Sequence, residues 1–376
     1  MLNEEQLLIQ ESLRGFAWQT LYDLSPVWDR EHRFPSEAIE PMAEMGLFGM
    51  LVDPEYGGSG FDTVSYVLAI VEIAAADGSL STILSIHNSL IVGLIQAHGT
   101  PAQKDHYLPL LAQAKIRGCF ALTEPDAGSD ASAIRTRAER KGDCWVLNGS
   151  KQFISSGSTA DIALVFAITD PSAGKKGMSI FLVPTDTPGY SAVRVEDKLG
   201  QHASDTCYLE FVDCEIPAEN MIGQEGQGYR LALSNLENGR IGIAAQAIGM
   251  ARAAFDIAHD YALNRTSFGK PLIEHQAVGF RLAELMTDLR AAELMVLDAA
   301  ARKDRGEACL TEACMAKLHA SEMVERVCSG AIQTLGGYGY LRDYRLEQIY
   351  RDMRVCQIYE GTSDIQKMVI SRQLSK

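Results

Sequence analysis

The chain is expected to be an α+β protein in which a helical region, a small β-domain and a second, longer helical region follow one another. Three observations predict this order. Apolar residues recur at helical spacing up to residue 117, the period drops to two between 118 and 225, and the helical period returns from 226 to the end. A length of 376 residues is more than one simple core accommodates and suits a division into 1–117, 118–225 and 226–376.

In the first region Tyr66, Ile70, Ile73 and Ala74 share one helical face, as do Leu90, Leu94 and Ile95. The loop Asp53-Pro54-Glu55-Tyr56-Gly57-Gly58-Ser59-Gly60 reads either as a pocket rim or as an ordinary connection between helices. In the second region residues 144–147 run into Asn148-Gly149, which predicts a hairpin turn there. Residues 162–166 and 178–183 read as paired strands joined through Gly174-Lys175-Lys176-Gly177. Cys207, Leu209 and Phe211 alternate with Tyr208 and Glu210, the mark of a half-buried strand. In the third region Leu282, Leu285, Met286, Leu289, Ala292, Val296 and Ala299 form a stripe opposite Glu284, Asp288 and Glu293. Similar stripes run through 241–263 and 314–335, and four helices packed as a bundle account for them.

A formal charge of −15 argues against nucleic acid and anionic lipid as partners, so an anionic coenzyme needs a local basic pocket. No run approaches the roughly 20 apolar residues that cross a bilayer. The start, Met1-Leu2-Asn3-Glu4-Glu5-Gln6, lacks the basic head and apolar core of a signal peptide. The expectation is a cytoplasmic protein, or a mitochondrial matrix protein if the chain is a processed form. The eight cysteines show no Cys-x-x-Cys and read as free thiols in a reducing compartment. The eight histidines offer no metal-binding spacing, and Ser59 and Ser150 lack a Gly-x-Ser-x-Gly elbow. Residues 223–228 have the wrong spacing for a Gly-x-Gly-x-x-Gly turn, which removes the usual dinucleotide-binding fold.

Three islands carry chemistry. Tyr359-Glu360-Gly361-Thr362 presents a lone carboxylate on a loop between helical stretches, after Gly336-Gly337-Tyr338-Gly339-Tyr340 and Arg351-Asp352-Met353-Arg354-Val355. A glutamate before glycine is by itself more often a solvent-facing helix end. With Ile358 and Tyr359 on one side and a permissive backbone on the other, it can also meet a ligand as a general base. The other islands are Leu122-Thr123-Glu124-Pro125-Asp126-Ala127-Gly128-Ser129-Asp130 and Asn148-Gly149-Ser150-Lys151-Gln152-Phe153-Ile154-Ser155. Together the three resemble the acyl-CoA dehydrogenase family, and the resemblance covers essentially the whole chain. Phe153-Ile154-Ser155, Asn238-Gly239-Arg240 and residues 336–344 look most like the isobutyryl-CoA dehydrogenases of valine breakdown.

The resemblance implies an N-terminal helical domain, a middle β-barrel or sandwich and a C-terminal four-helix bundle, with FAD held between the last two. Phe120, Leu122 and Thr123 would touch the pyrimidine side of the flavin, and Phe153 and Ser155 stand where the family usually has Trp and Thr. Arg265, Ser267, Phe268 and Gln276, with Gln333, Gly336 and Gly337, would bind FAD across a subunit interface, and Thr362 and Asp364 would touch it after the base. Without the family, Arg265 reads as a surface cation at a helix end. Ser129 would lie along the pantetheine arm of coenzyme A, with Glu237 and Arg240 nearer its phospho-ADP end, although those two also read as a pair on a helix surface. Tyr359 would form the acyl wall, and the backbone at Glu360 and Gly361 the thioester carbonyl site. Glu360 would remove the α-proton while the β-hydride goes to flavin N5. Some relatives carry the base near residue 239, where this chain has Gly239. Electron-transfer flavoprotein as acceptor and a homotetramer are further implications. A straight butyryl or a 2-methylbutyryl substrate, or a flavin oxidase or monooxygenase of the same fold, is the alternative. Asp126 stands where the family commonly has Gly.

Overall fold

The computed structural model describes residues 2–374. Its N-terminal helices gather around Thr63–Ala76, which Asp62 caps by accepting the Ser65 N–H and which is buried from Val64 to Ala76. Glu72 inside that run is neutralised by Arg14 and Arg252, at 3.2 and 2.5 Å. The first helix, Glu4–Phe16, and the later helix Gly228–Asn264 are thereby pinned to it from two sides. The loop after Asp53 is bound down, with Ser59 N–H on Gly49 O at 2.8 Å and Phe61 N–H on Met50 O at 2.7 Å.

Gly78–Ser85, the π-helical turn Ile86–Val92 and Gly93–His98 make one continuous rod. This rod and Gly228–Asn264 are long and apolar enough to cross a membrane by length and composition, contrary to the sequence expectation. Their apolar windows are 94% and 83% buried inside the protein, so they are core helices.

The middle of the chain is an eight-stranded sheet. Its order is Tyr190–Val195, Thr206–Pro217, Cys144–Ser155, Arg137–Lys141, Ile162–Ile168, Met178–Pro184 and Met221–Ile222, and Gly118–Ala121 pairs in parallel with Ile162–Ile168. One sheet face, with Leu164, Phe166 and Leu182, packs on Ile91 and Leu94 of the rod. The other face closes on itself around Trp145, Phe181 and Phe211. Antiparallel pairing of Ile162–Ile168 with Met178–Pro184 is as the sequence predicts.

The hairpin turn is elsewhere than expected. Cys144–Ser155 runs straight through Asn148-Gly149, and the chain reverses at Gly142-Asp143, with Lys141 opposite Cys144. Asn148 instead reaches across to the neighbouring strand, its Oδ1 accepting the Asp213 N–H at 2.8 Å. Gly149, at φ +148°, sits at a register shift where a Cβ would overlap Thr136. Glycine here serves a bulge and a close backbone approach, which local sequence does not distinguish from a turn.

The last region packs Gly228–Asn264, Gln276–Asp304 and Leu310–Leu335 with a shorter fourth helix, Ser363–Leu374. The expected stripe on Gln276–Asp304 is buried at Leu282, Leu285, Leu289, Ala292, Val296 and Ala299. Met286 is exposed, because at 3.6 residues per turn it falls about 90° around the helix from the middle of that stripe.

Candidate active site around Glu360

Glu360 leaves the helix Leu346–Met353 through the tight turn Arg354–Gln357, just before Ser363–Leu374 begins. It and Gly361 have φ of +52° and +92°, two left-handed residues in succession. Glycine adopts this freely and glutamate at a cost, so the surroundings must hold it. The Tyr359 hydroxyl donates to Gln246 Oε1 and lies 3.4 Å from Thr82 Oγ1, anchoring the loop on its near side. On the far side Gly361 O accepts from Lys317 Nζ at 2.7 Å and from Gln366 Nε2 at 2.8 Å.

The residue is half-buried overall, but both carboxylate oxygens are shielded and have no hydrogen-bond partner. The carboxylate lies on the Cα of Gly239, where any Cβ would overlap Glu360 Oε2. Burial pushes its pKa up to about 7, against the pull of Lys317 and then Arg240. Arg240 is buried with an unpartnered Nε. It is not paired with Glu237, which accepts the Cys309 thiol at 3.2 Å instead.

The middle-domain residues form a second group. Lys151 Nζ donates to Leu122 O at 3.1 Å and to Glu124 Oε1 at 2.8 Å, while Gln152 N–H bonds Thr123 O at 2.9 Å. Glu124 also accepts the N–H groups of Arg135 and Thr136, at 2.5 and 2.9 Å. The segment holding Leu122 and Thr123 is thus locked beside the one holding Phe153 and Ser155. Phe153 sits at φ +60° in a second register shift, and the bulge turns its ring outward to 64% exposure. Ser155 and Phe120 are half-buried, the Phe120 ring 4.8 Å from that of Phe166. Ser129 is exposed, and so is Asp126, which pairs with exposed Arg135 at 3.3 Å.

A third group surrounds a cavity of about 520 Å³ whose lining includes Arg265, Ser267, Gln333, Gly336, Gly337 and Tyr338. A Cβ on Gly336 or Gly337 would meet no atom within 4 Å, so their open sides are free for a ligand. Gln276 and Phe268, the latter 97% exposed, lie outside this lining. Thr362 is half-buried and Asp364 exposed at the start of the last helix.

These residues fit a large aromatic, anionic dinucleotide. An outward ring at Phe153 offers a stacking face, Arg265 a fork for phosphate, and Gly336-Gly337 room for close backbone approach. Sequence reasoning missed Lys317. Its signal was a lysine at a core position of an otherwise apolar stripe, and the structure leaves it with no exposed surface.

Family models describing the N-terminal, middle and C-terminal domains of acyl-CoA dehydrogenases match residues 3–115, 119–214 and 226–375. The chain belongs to the acyl-CoA dehydrogenase family. It is accordingly an oxidoreductase that uses FAD. It is 44% identical to the short-chain specific acyl-CoA dehydrogenase, mitochondrial, of Mus musculus over 99% of this chain and 90% of that one. Butyryl-CoA dehydrogenase from Megasphaera elsdenii superposes with a TM-score of 0.98 at 39% identity, covering 100% of this chain and 99% of that one. A chain in the structure described as the electron transferring flavoprotein of Acidaminococcus fermentans also has a TM-score of 0.98, at 41% identity and 100% and 98% coverage.

Proposed function

We propose that this protein oxidises the Cα–Cβ bond of a short acyl-CoA to the 2-enoyl-CoA, with Glu360 removing the α-proton. The observation that carries the reading is the Glu360 carboxylate itself, buried, unpartnered and pushed up to about 7. A carboxylate poised there is ionised in useful amount near neutral pH and is a better base than one in water. Gly239 leaves the space it occupies, and Lys317 and Gln366 hold the carbonyl that follows. FAD, when bound, supplies the acceptor for the β-hydride.

A short acyl group is supported by what lies beyond the base. One turn along from Gly239, Gly242 is covered by the Tyr66 hydroxyl and Ser85 Oγ, which are 3.1 Å apart. Among short acyl groups, the names of the relatives support a straight butyryl chain. The resemblance of 153–155, 238–240 and 336–344 supports isobutyryl, and with it a place in valine breakdown. Ser129, Glu237, Arg240, Tyr359 and Gly361 are proposed around the acyl-CoA. Phe120, Leu122, Thr123, Phe153, Ser155, Arg265, Ser267, Phe268, Gln276, Gln333, Gly336, Gly337, Thr362 and Asp364 are proposed around FAD. The cavity at Gly336 draws its whole lining from the C-terminal helical region, and Phe268 is almost wholly exposed, which supports completion of the cofactor site by a second subunit in a homotetramer. The Acidaminococcus likeness supports an electron-transfer flavoprotein as acceptor.

The test is the visible spectrum of the purified protein under anaerobic conditions, before and after butyryl-CoA, isobutyryl-CoA or 2-methylbutyryl-CoA. Rapid flavin bleaching that disappears in Glu360→Gln is expected, and the fastest thioester identifies the substrate. Bleaching that survives in Glu360→Gln would remove the base assignment. Rapid reoxidation by air with product bound would favour an oxidase.

A further inference from the structure

Lys317 lies two turns into Leu310–Leu335, among Ala313, Cys314, Ala316, Ala320 and Val324, all of them buried. Burying an ammonium is costly unless a carboxylate or several acceptors compensate it. Among the described residues no carboxylate oxygen lies within 4 Å of its ammonium, which donates to Gly361 O at 2.7 Å. The titratable groups facing it are Cys356, Glu360, Arg240 and Cys314. Burial keeps both thiols protonated, Cys356 being pushed up to about 12, so Glu360 is the anion in its surroundings.

We infer that Lys317 is a positioning residue for α-proton abstraction. Through Gly361 O it fixes the two left-handed residues that lay the Glu360 carboxylate over Gly239, and its charge favours the ionised, proton-accepting form of that carboxylate. The inference rests on the assignment of Glu360 as base. Gln366 donates to the same carbonyl, so the loop keeps one anchor when the lysine is changed. That separates the effect on chemistry from the effect on folding.

Lys317→Met removes both donor and charge, Lys317→Gln removes the charge and keeps a donor, and Lys317→Arg keeps the charge. Each would be compared with wild type and Glu360→Gln as the FAD-loaded oligomer, following kcat and KM for butyryl-CoA against pH. The ionisation of Glu360 without substrate would be followed as an infrared carboxylate signal absent from Glu360→Gln. In Lys317→Met, kcat is expected to fall about tenfold with KM within about twofold, and both the acid limb of kcat/KM and the infrared titration to move up by about one pH unit. Lys317→Gln should show the same upward shift with a smaller loss of kcat, and Lys317→Arg the wild-type position. A wild-type acid limb and infrared titration in Lys317→Met at full FAD content would overturn the inference. If Lys317→Met does not fold, identical titrations in Lys317→Gln and Lys317→Arg would overturn it equally. Full turnover in Glu360→Gln would instead remove the base assignment on which it stands.

Discussion

Lys151 and Lys317 are both buried beside a glutamate, and burial lowers both to about 8, yet the two glutamates are treated in opposite ways. Glu124 takes the Lys151 ammonium at 2.8 Å and two backbone N–H groups, and these contacts outweigh its burial and hold its pKa below the ordinary value. Glu360 takes none of these. Its lysine is spent on a backbone carbonyl one residue away, so burial prevails and the pKa rises. One pair ties the loop that holds Glu124 to the strand Cys144–Ser155, while the other leaves the carboxylate unsatisfied. The same two residue types give a structural joint or a reactive group according to whether the carboxylate is satisfied.

The sharpest way to break that comparison is to neutralise each glutamate. Glu360→Gln should lower turnover by about 10²–10⁴-fold, measured as anaerobic flavin reduction, without loss of fold. Glu124→Gln should leave the lysine buried without its anion and lower stability by about 3–5 kcal/mol in urea unfolding, with activity lost through misplaced Leu122 and Thr123. Equal effects of the two variants on stability would erase the distinction.

Gly239→Ala tests whether the carboxylate needs its resting place. The new Cβ displaces Glu360, and kcat should fall by about 10²-fold, as for a misplacement on the order of 1 Å, with a melting temperature close to wild type.

The smallest effect, and the most diagnostic, is the pH dependence of stability. Glu360 has a folded pKa of about 7 against an ordinary 4.5, so its contribution is full below 4.5 and is lost as pH rises to 7. Wild type should therefore weaken relative to Glu360→Gln across that interval. Glu124 has the opposite sign. Its folded pKa is depressed, so its contribution is present above 4.5 and is lost as pH falls through the folded value. Melting curves at several pH values would show the two differences moving in opposite directions.

The motif around Glu360 was legible because a carboxylate between an aromatic residue and glycine, following Gly336-Gly337, is an unusual local arrangement. The helical stripes were legible because burial of one face repeats every 3.6 residues. Asn148-Gly149 misled, since a bulge and a turn both require a glycine beyond the usual backbone limits, and the cross-strand bond from Asp213 decides between them. Lys317 passed unnoticed because a stripe is read from its apolar members. The burial of Arg240 close to Glu360 is likewise absent from the local pattern, because it depends on how its helix packs.

Helical and strand periods and the motif that carries the proposed base are properties of short stretches of chain, and the excess of acid over base is a property of composition, so the sequence alone determined them. Tertiary structure decided which of two buried lysines meets its glutamate, where the hairpin reverses, and that Gly239 lies beneath the carboxylate. Each depends on contact between residues far apart in the chain, where desolvation and hydrogen-bond satisfaction are set by neighbours that local sequence does not name.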